Sequence, residues 1–378
     1  MIIIADQNIP QVADAFADLG EVRLLPGRDI RNQHLKECDC LIIRTVTRVD
    51  AELIANTPVK FIGSATIGTD HVDLDLLKTC GITFTNAAGC NAEAASEYVI
   101  SGIFALAKQK GIDPFKRKAG IIGFGNVGSR LFDKLDTLGI ECLVNDPPLQ
   151  LSGKSKQRFV DLNTIINECD LISLHTPLTR TGTHPSFHLF GYERLGRLRE
   201  NCLLVNAARG EVIDNPALIK VLDERKDLTV FLDTWENEPT VSRELLARVD
   251  LATPHIAGYS VEGRLRGTQM VLDAACRFFN QSSSWQMTSL LPEPITLELP
   301  STHSDLDFWQ NLFIRHFDIS RDDKAFKAGM GLNDADFGQL FESLRRVYPD
   351  RLEYDRFKLS GIKKTAAASV QRLRFGVD

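Results

Sequence analysis

The chain has 378 residues, of which 43% are hydrophobic and 25% charged, with a formal charge of −6. That length predicts two or three domains, and the acidic balance excludes a nucleic-acid or anionic-membrane surface while leaving room for a local arginine cluster that binds a small anion. The eight cysteines form no CxxC pair, so no metal is expected, and with neither a basic, apolar leader nor a run near the roughly 20 apolar residues that span a bilayer, the chain reads as cytoplasmic with no membrane partner.

Short apolar runs at 2–5, 21–25, 40–44, 60–64 and 82–85 come first, each followed by an amphipathic stretch. That alternation predicts βαβ units around a parallel sheet. A proline-free helical pattern covers 93–107. Residues 110–118 hold a glycine, a proline and four cationic side chains, and predict a solvated connector. Six further runs, at 120–123, 141–145, 171–175, 202–207, 228–233 and 251–255, predict a second, doubly wound domain that binds a nucleotide. A helix over 261–279 and a polar linker at 281–284 follow. Beyond them, 292–300 reads as a strand, with helices over 305–317 and 334–347, in a separate small domain of roughly 90 residues.

The first motif that carries chemistry is Gly123-Phe124-Gly125-Asn126-Val127-Gly128, set between a strand and a helix. Its first glycine permits a tight turn, the second lets backbone approach a pyrophosphate, and the third lets the helix pack on the strand. Asn126 and Val127 open the helix whose free N–H groups face the phosphates. Asp146, ending the next strand, suits the ribose hydroxyls of NAD and repels the extra phosphate of NADP. The cofactor predicted is NAD.

Three later strand ends supply a histidine, a carboxylate and an arginine. Oxidising a secondary alcohol by hydride loss needs a base for the hydroxyl proton, which His255 suits. Glu238 would orient and support the imidazolium, and Arg209 would clamp the substrate carboxylate in a bidentate fork. Singly, each is more often a loop charge or a turn residue; their order after a dinucleotide motif makes them a site.

These segments, with Leu174-His175-Thr176-Pro177-Leu178-Thr179, resemble the D-isomer-specific 2-hydroxyacid dehydrogenase family over about residues 1–280. The resemblance implies an α/β fold of two doubly wound parallel-sheet domains. One is a discontinuous, flavodoxin-like substrate domain (1–95 with 261–284), the other a Rossmann NAD domain (96–260). It gives Arg209, Glu238 and His255 the roles just derived. It also implies that Thr176, Ala207, Asp233 and Gly258 lie beside NAD, that His175 is not the base, and that His71 structures its loop.

Ser64-Ala65-Thr66-Ile67-Gly68-Thr69-Asp70-His71, Arg44-Thr45-Val46-Thr47 and the tail resemble a branch of the family that acts on a phosphorylated 2-hydroxy acid. Thr45 stands where that branch is expected to have serine. The implied substrate contacts are Arg44, Thr45, Thr66 and Tyr259. Residues 285–378 are implied to be a small α+β dimerisation domain, making the protein a homodimer. The alternatives are a phosphoglycerate or hydroxypyruvate type of dehydrogenase and a non-catalytic NAD-sensing scaffold. The loop 181–190 has no assignment.

Overall fold

A computed structural model describes residues 1–299, 304–362 and 364–377. Contacts divide the chain into two units, Met1–Ala92 with Ser260–Pro292, and Glu93–Tyr259 with Glu293–Asp378.

In the first unit, β1 (Ile2–Asp6), β2 (Glu21–Leu25), β3 (Cys40–Ile43), β4 (Phe61–Ser64) and β5 (Thr83–Asn86) pair in the order β2-β1-β3-β4-β5, every neighbour parallel. Alternation along the strands sends Ile3, Cys40, Ile42 and Phe61 to one face, and Ile4, Leu41, Ile43 and Ile62 to the other. Both faces are covered, as a parallel sheet requires. The helix Val261–Phe279 covers the first face with Val271, Leu272 and Ala275. Ser260 caps it by accepting the Gly263 N–H at 2.8 Å. At Gly267 a Cβ would stand 2.7 Å from the Ala65 carbonyl oxygen, so glycine allows the close approach.

The second unit is built on β6 (Lys118–Ile122), β7 (Glu141–Asn145), β8 (Leu171–Leu174), β9 (Leu203–Asn206), β10 (Thr229–Leu232) and β11 (Leu251–Ala252), ordered β11-β10-β9-β8-β6-β7 and parallel throughout. The chain reverses direction across the sheet between β6 and β8, and ligands of such sheets bind beyond the strand ends at that point. The runs read from sequence at 171–175 and 202–207 shorten slightly, and the one at 251–255 shortens to two residues. Pro254 has no N–H for a ladder and His255 takes a left-handed φ of 57°.

The tail was expected to hold one strand; it holds three among the described residues. These are β12 (Ile295–Glu298), β13 (Phe357–Ser360) and β14 (Gly376–Val377), in a parallel sheet ordered β12-β13-β14. Pro300, at the end of the expected strand, lies outside the described residues. Phe308, Leu312 and Phe313 of the helix Asp305–His316 share a core with Tyr98, Ile103 and Phe104 of the helix Ala92–Lys110, on one face of the six-stranded sheet. Phe326, Phe337 and Phe341 enter the core of the other face. Each such fully buried side chain contributes roughly 1.5–3 kcal/mol.

Polar contacts add to this grip. Asp322 accepts hydrogen bonds from the hydroxyls of Tyr98 (2.7 Å) and Tyr348 (3.0 Å), and Asp323 accepts the N–H of Ala252 on the edge strand β11 at 2.8 Å. Arg351, 5% exposed, donates to the carbonyls of Tyr259 (2.7 Å), Ala257 (2.5 Å) and Ala94 (3.2 Å), and stacks over the Tyr98 ring at 4.8 Å. Burial pushes the thiols of Cys142, Cys169 and Cys202 up to about 12, leaving them unreactive.

Replacing Arg351 by Met would leave three carbonyls without their donor. Unfolding in urea should show a loss of about 2–4 kcal/mol, against less than 1 for the exposed Arg346→Met.

Candidate active site

Where β6 ends, Gly123 has φ 90°, and a Cβ on it would fall 2.7 Å from the His175 carbonyl. Only glycine lets this turn lie against the end of β8. At Gly128 a Cβ would sit 1.9 Å from the Gly123 oxygen, which seats the helix Asn126–Thr137 on the turn. Gly125 is the opposite case. It is exposed, a Cβ there would meet nothing within 4 Å, and it gives the helix no side-chain cap. The first-turn N–H groups at Asn126 and Val127 are therefore open to an anion.

Asp146 accepts the Phe124 N–H at 2.8 Å with one carboxylate oxygen and the Leu149 N–H at 2.9 Å with the other. It thus ties the glycine turn to the end of β7 and keeps lone pairs for ribose hydroxyls. The Thr176 hydroxyl is buried and has no hydrogen-bond partner among the described residues. An orphaned donor beside an open glycine turn and an uncapped helix fits a dinucleotide.

The three residues expected to react lie beyond β9, β10 and β11. The buried Asn206 side chain donates to the Arg209 carbonyl at 2.9 Å and accepts the Ala208 N–H at 3.1 Å, shaping the turn that carries Ala207 and Arg209. At Gly210 a Cβ would overlap the Trp235 carbonyl at 2.0 Å, so the arginine turn and the glutamate loop lie backbone to backbone. Glu238 accepts the Trp235 N–H at 2.9 Å with one oxygen and meets His255 Nδ1 at 2.8 Å with the other.

Burial pushes the Glu238 carboxyl up. The His255 charge and hydrogen bond, the Trp235 N–H and the Arg345 charge outweigh it and hold the group below the ordinary glutamate value. Glu238 is thus ionised and orients the ring, leaving Nε2 as the nitrogen that can exchange a proton.

Asp233 fixes the loop that carries His255. Its carboxylate, 1% exposed, accepts from the Thr253 hydroxyl (2.6 Å) and from the N–H groups of Ile256 (2.9 Å) and Ala257 (3.0 Å). Its carbonyl accepts the His255 N–H at 2.7 Å. Gly258 is partly exposed just beyond this turn, and the Tyr259 N–H closes it onto the Ile256 carbonyl at 2.9 Å.

The His175 ring is partly buried, meets the Ser173 hydroxyl at 2.8 Å, and is pushed by burial down to about 3. It stays neutral. His71 is half-buried and shifted down by burial as well. Within the first unit, Arg44 donates to the buried Asp6 carboxylate at 2.8 Å, Thr45 is exposed, and the Thr66 hydroxyl pairs with that of Ser64 at 2.8 Å.

The unassigned loop is tied down by a second histidine–carboxylate pair. His188 meets Glu236 at 2.6 Å and Asp214 at 3.5 Å, while Thr179 and Ser186 exchange hydrogen bonds across the loop. The sequence reading missed this pair and missed Arg351. Each depends on partners 26 to 257 positions away, and no periodic pattern marks such residues. Among the described residues no group of histidine, cysteine and acidic side chains could hold a metal ion, and no helix is long and apolar enough to cross a membrane.

Residues 86–257 match the family model described as D-isomer specific 2-hydroxyacid dehydrogenase, NAD binding domain. The chain is 44% identical to the erythronate-4-phosphate dehydrogenase of Azotobacter vinelandii, covering 96% of each chain. It is 42% identical to that of Hahella chejuensis over the whole of both. Among solved structures, the NAD+-bound 3-phosphoglycerate dehydrogenase of Entamoeba histolytica matches with TM-score 0.64 and 26% identity, over 74% of this chain and 95% of its own. NAD is the cofactor.

Thr176→Val removes a hydroxyl that folding leaves unpaired. The cofactor-free protein should melt no lower than wild type. NAD affinity, read by fluorescence titration, should fall about five- to tenfold, the value of roughly one hydrogen bond.

Proposed function

This chain belongs to the D-isomer specific 2-hydroxyacid dehydrogenases and, among them, to the erythronate-4-phosphate dehydrogenases, and from that premise we propose that it oxidises 4-phospho-D-erythronate to 2-oxo-3-hydroxy-4-phosphobutanoate, a step toward pyridoxal 5′-phosphate. One observation carries the reading: the likeness to proteins of that name runs the full length of the chain, the tail included.

Bound NAD supplies the acceptor for the hydride that leaves C2. Arg209 takes the substrate carboxylate in a two-pronged hydrogen bond, which fixes C2 and polarises its oxygen. His255 accepts the hydroxyl proton on Nε2 as the C2–O bond becomes a carbonyl, and the Glu238 carboxylate 2.8 Å from Nδ1 stabilises the imidazolium that forms. The carboxylate needs no repositioning at that moment, because the Trp235 N–H already holds its other oxygen.

Gly123, Gly125, Asn126, Val127, Gly128, Asp146, Thr176, Ala207, Asp233 and Gly258 are the proposed cofactor contacts, and Arg44, Thr45, Thr66 and Tyr259 the proposed contacts for the rest of the substrate. The same reading makes the protein a cytoplasmic homodimer joined through its C-terminal residues. The exposed apolar side chains of Met330, Leu332 and Val347 support that assembly.

NADH formation should be faster with 4-phosphoerythronate than with 3-phosphoglycerate; the reverse preference would replace this substrate, and no turnover of either would favour a scaffold. Oxidation should rise with pH, since the imidazole must be proton-free to accept, and His255→Ala should abolish that rise. Glu238→Gln should lower kcat at least tenfold with NAD affinity unchanged. Because folding lowers this carboxyl, its stabilisation is complete above pH 4.5, the ordinary glutamate value, and fades as the pH drops through the folded value. Acid titration of both proteins should show their stability gap closing over that window.

A further inference from the structure

The proposed substrate is anionic at both ends, and Arg209 answers only the carboxylate. The tail brings a second arginine beside Tyr259. Arg345 lies in the last turn of the helix Asp334–Arg346, with its guanidinium 5.9 Å from the Tyr259 ring centre and 5.5 Å from that of Phe341. It also feels the charge of Glu238, the partner of His255. Its Nε is shut away from solvent and has no hydrogen-bond partner among the described residues.

Neighbouring cations are committed elsewhere. Arg351 is held by three carbonyls, and Lys134 and Arg130 by Glu93; Arg243 pairs with Asp334 but keeps one buried nitrogen without a partner among the described residues. Arg346 is exposed. A buried guanidinium donor without an acceptor is unfavourable, and a phosphate oxygen is its best complement.

We infer that Arg345 binds the phosphate of the substrate and is the residue through which the C-terminal segment sets substrate preference. This rests on the reading of a phosphorylated substrate given above. The guanidinium approaches from the Tyr259 side of the His255–Glu238 pair, so one end of the substrate is held by Arg209 and the other by Arg345, with C2 presented to His255 between them. Tyr259 acts as the platform that aims the fork. A 2-hydroxy acid without phosphate leaves the fork unpaired and is rejected for that reason.

The test compares wild type with Arg345→Met and Arg345→Lys on two substrates, 4-phospho-D-erythronate and D-erythronate, with NADH binding followed in parallel. Arg345→Met should lower kcat/KM for the phosphorylated substrate about ten- to a hundredfold, the range for a charged hydrogen bond, chiefly through KM. NADH binding should stay within about twofold of wild type, and kcat/KM for D-erythronate should not fall, since the substitution removes the unpaired donor that rejects it. Arg345→Lys should recover part of the loss, and it carries the same comparison if the Met variant does not fold. Inorganic phosphate should inhibit wild type competitively against substrate and lose that hold in both variants. An equal loss on both substrates would mean that Arg345 acts on Glu238 and not on the phosphate, and would overturn the inference. So would unchanged kinetics. A wild type that does not oxidise 4-phosphoerythronate overturns the substrate assignment itself, a failure visible before any substitution is made.

Discussion

His255 can work only if its backbone stays in a conformation that most residues avoid, and a buried carboxylate keeps it there. Asp233 collects the Thr253 hydroxyl and the N–H groups of Ile256 and Ala257, and its own carbonyl takes the His255 N–H. Desolvation raises this carboxyl, and the three donors with the nearby His255 charge work against that rise. The arrangement bends the chain sharply at the end of β11, so that φ 57° at His255 is imposed by its neighbours and not paid for by the histidine alone. Glu238 then needs only one hydrogen bond to select the ring nitrogen that stays free.

The same loop is gripped a second time from the tail. Arg351 closes on the carbonyls of Ala257 and Tyr259, the ones that the Asp233 turn leaves pointing outward, and reaches Ala94 at the start of the long helix. Donors on one side and a guanidinium on the other leave the 253–259 segment little freedom to shift. A site that must hold a proton acceptor near a hydride-losing carbon gains from such rigidity, since misplacement by about 1 Å can cost a hundredfold in rate. The tail is therefore continuous with the reaction machinery in a mechanical sense. It has no core to itself, because its phenylalanines complete both faces of the six-stranded sheet.

That continuity explains which features were legible in the sequence. The glycine motif could be read because its meaning lies within six residues: a strand, a turn that rejects Cβ at Gly123 and Gly128, and a helix. The parallel sheets could be read because buried strands are short apolar runs between amphipathic stretches. β13 and β14, at four and two residues with partly exposed side chains, carry no such pattern. Arg351, Asp322 and the pairing of His188 with Glu236 act across long sequence separations, and an isolated charge in a tail looks like any solvated one. Even Asp233, legible as a strand-end acid, gave no sign that its carboxylate would be occupied by its own loop.

Substrate choice in such an enzyme must come from groups outside the trio. In the roles proposed for them, Arg209, Glu238 and His255 would address only the carboxylate and the C2 hydroxyl, which every 2-hydroxy acid has. Discrimination requires a group whose state differs between substrates. A partly buried cation with a free, solvent-excluded donor is such a group: its unpaired state is unfavourable, and a ligand that brings an anion relieves it. Arg345 can be kept in that state only because the helix bearing it is anchored, by Phe337 and Phe341 in one core and by Tyr348 and Arg351 just beyond it. A mobile arginine would turn to solvent and reject nothing. The rigidity that steadies the base is thus also what lets a distant segment read the far end of the substrate.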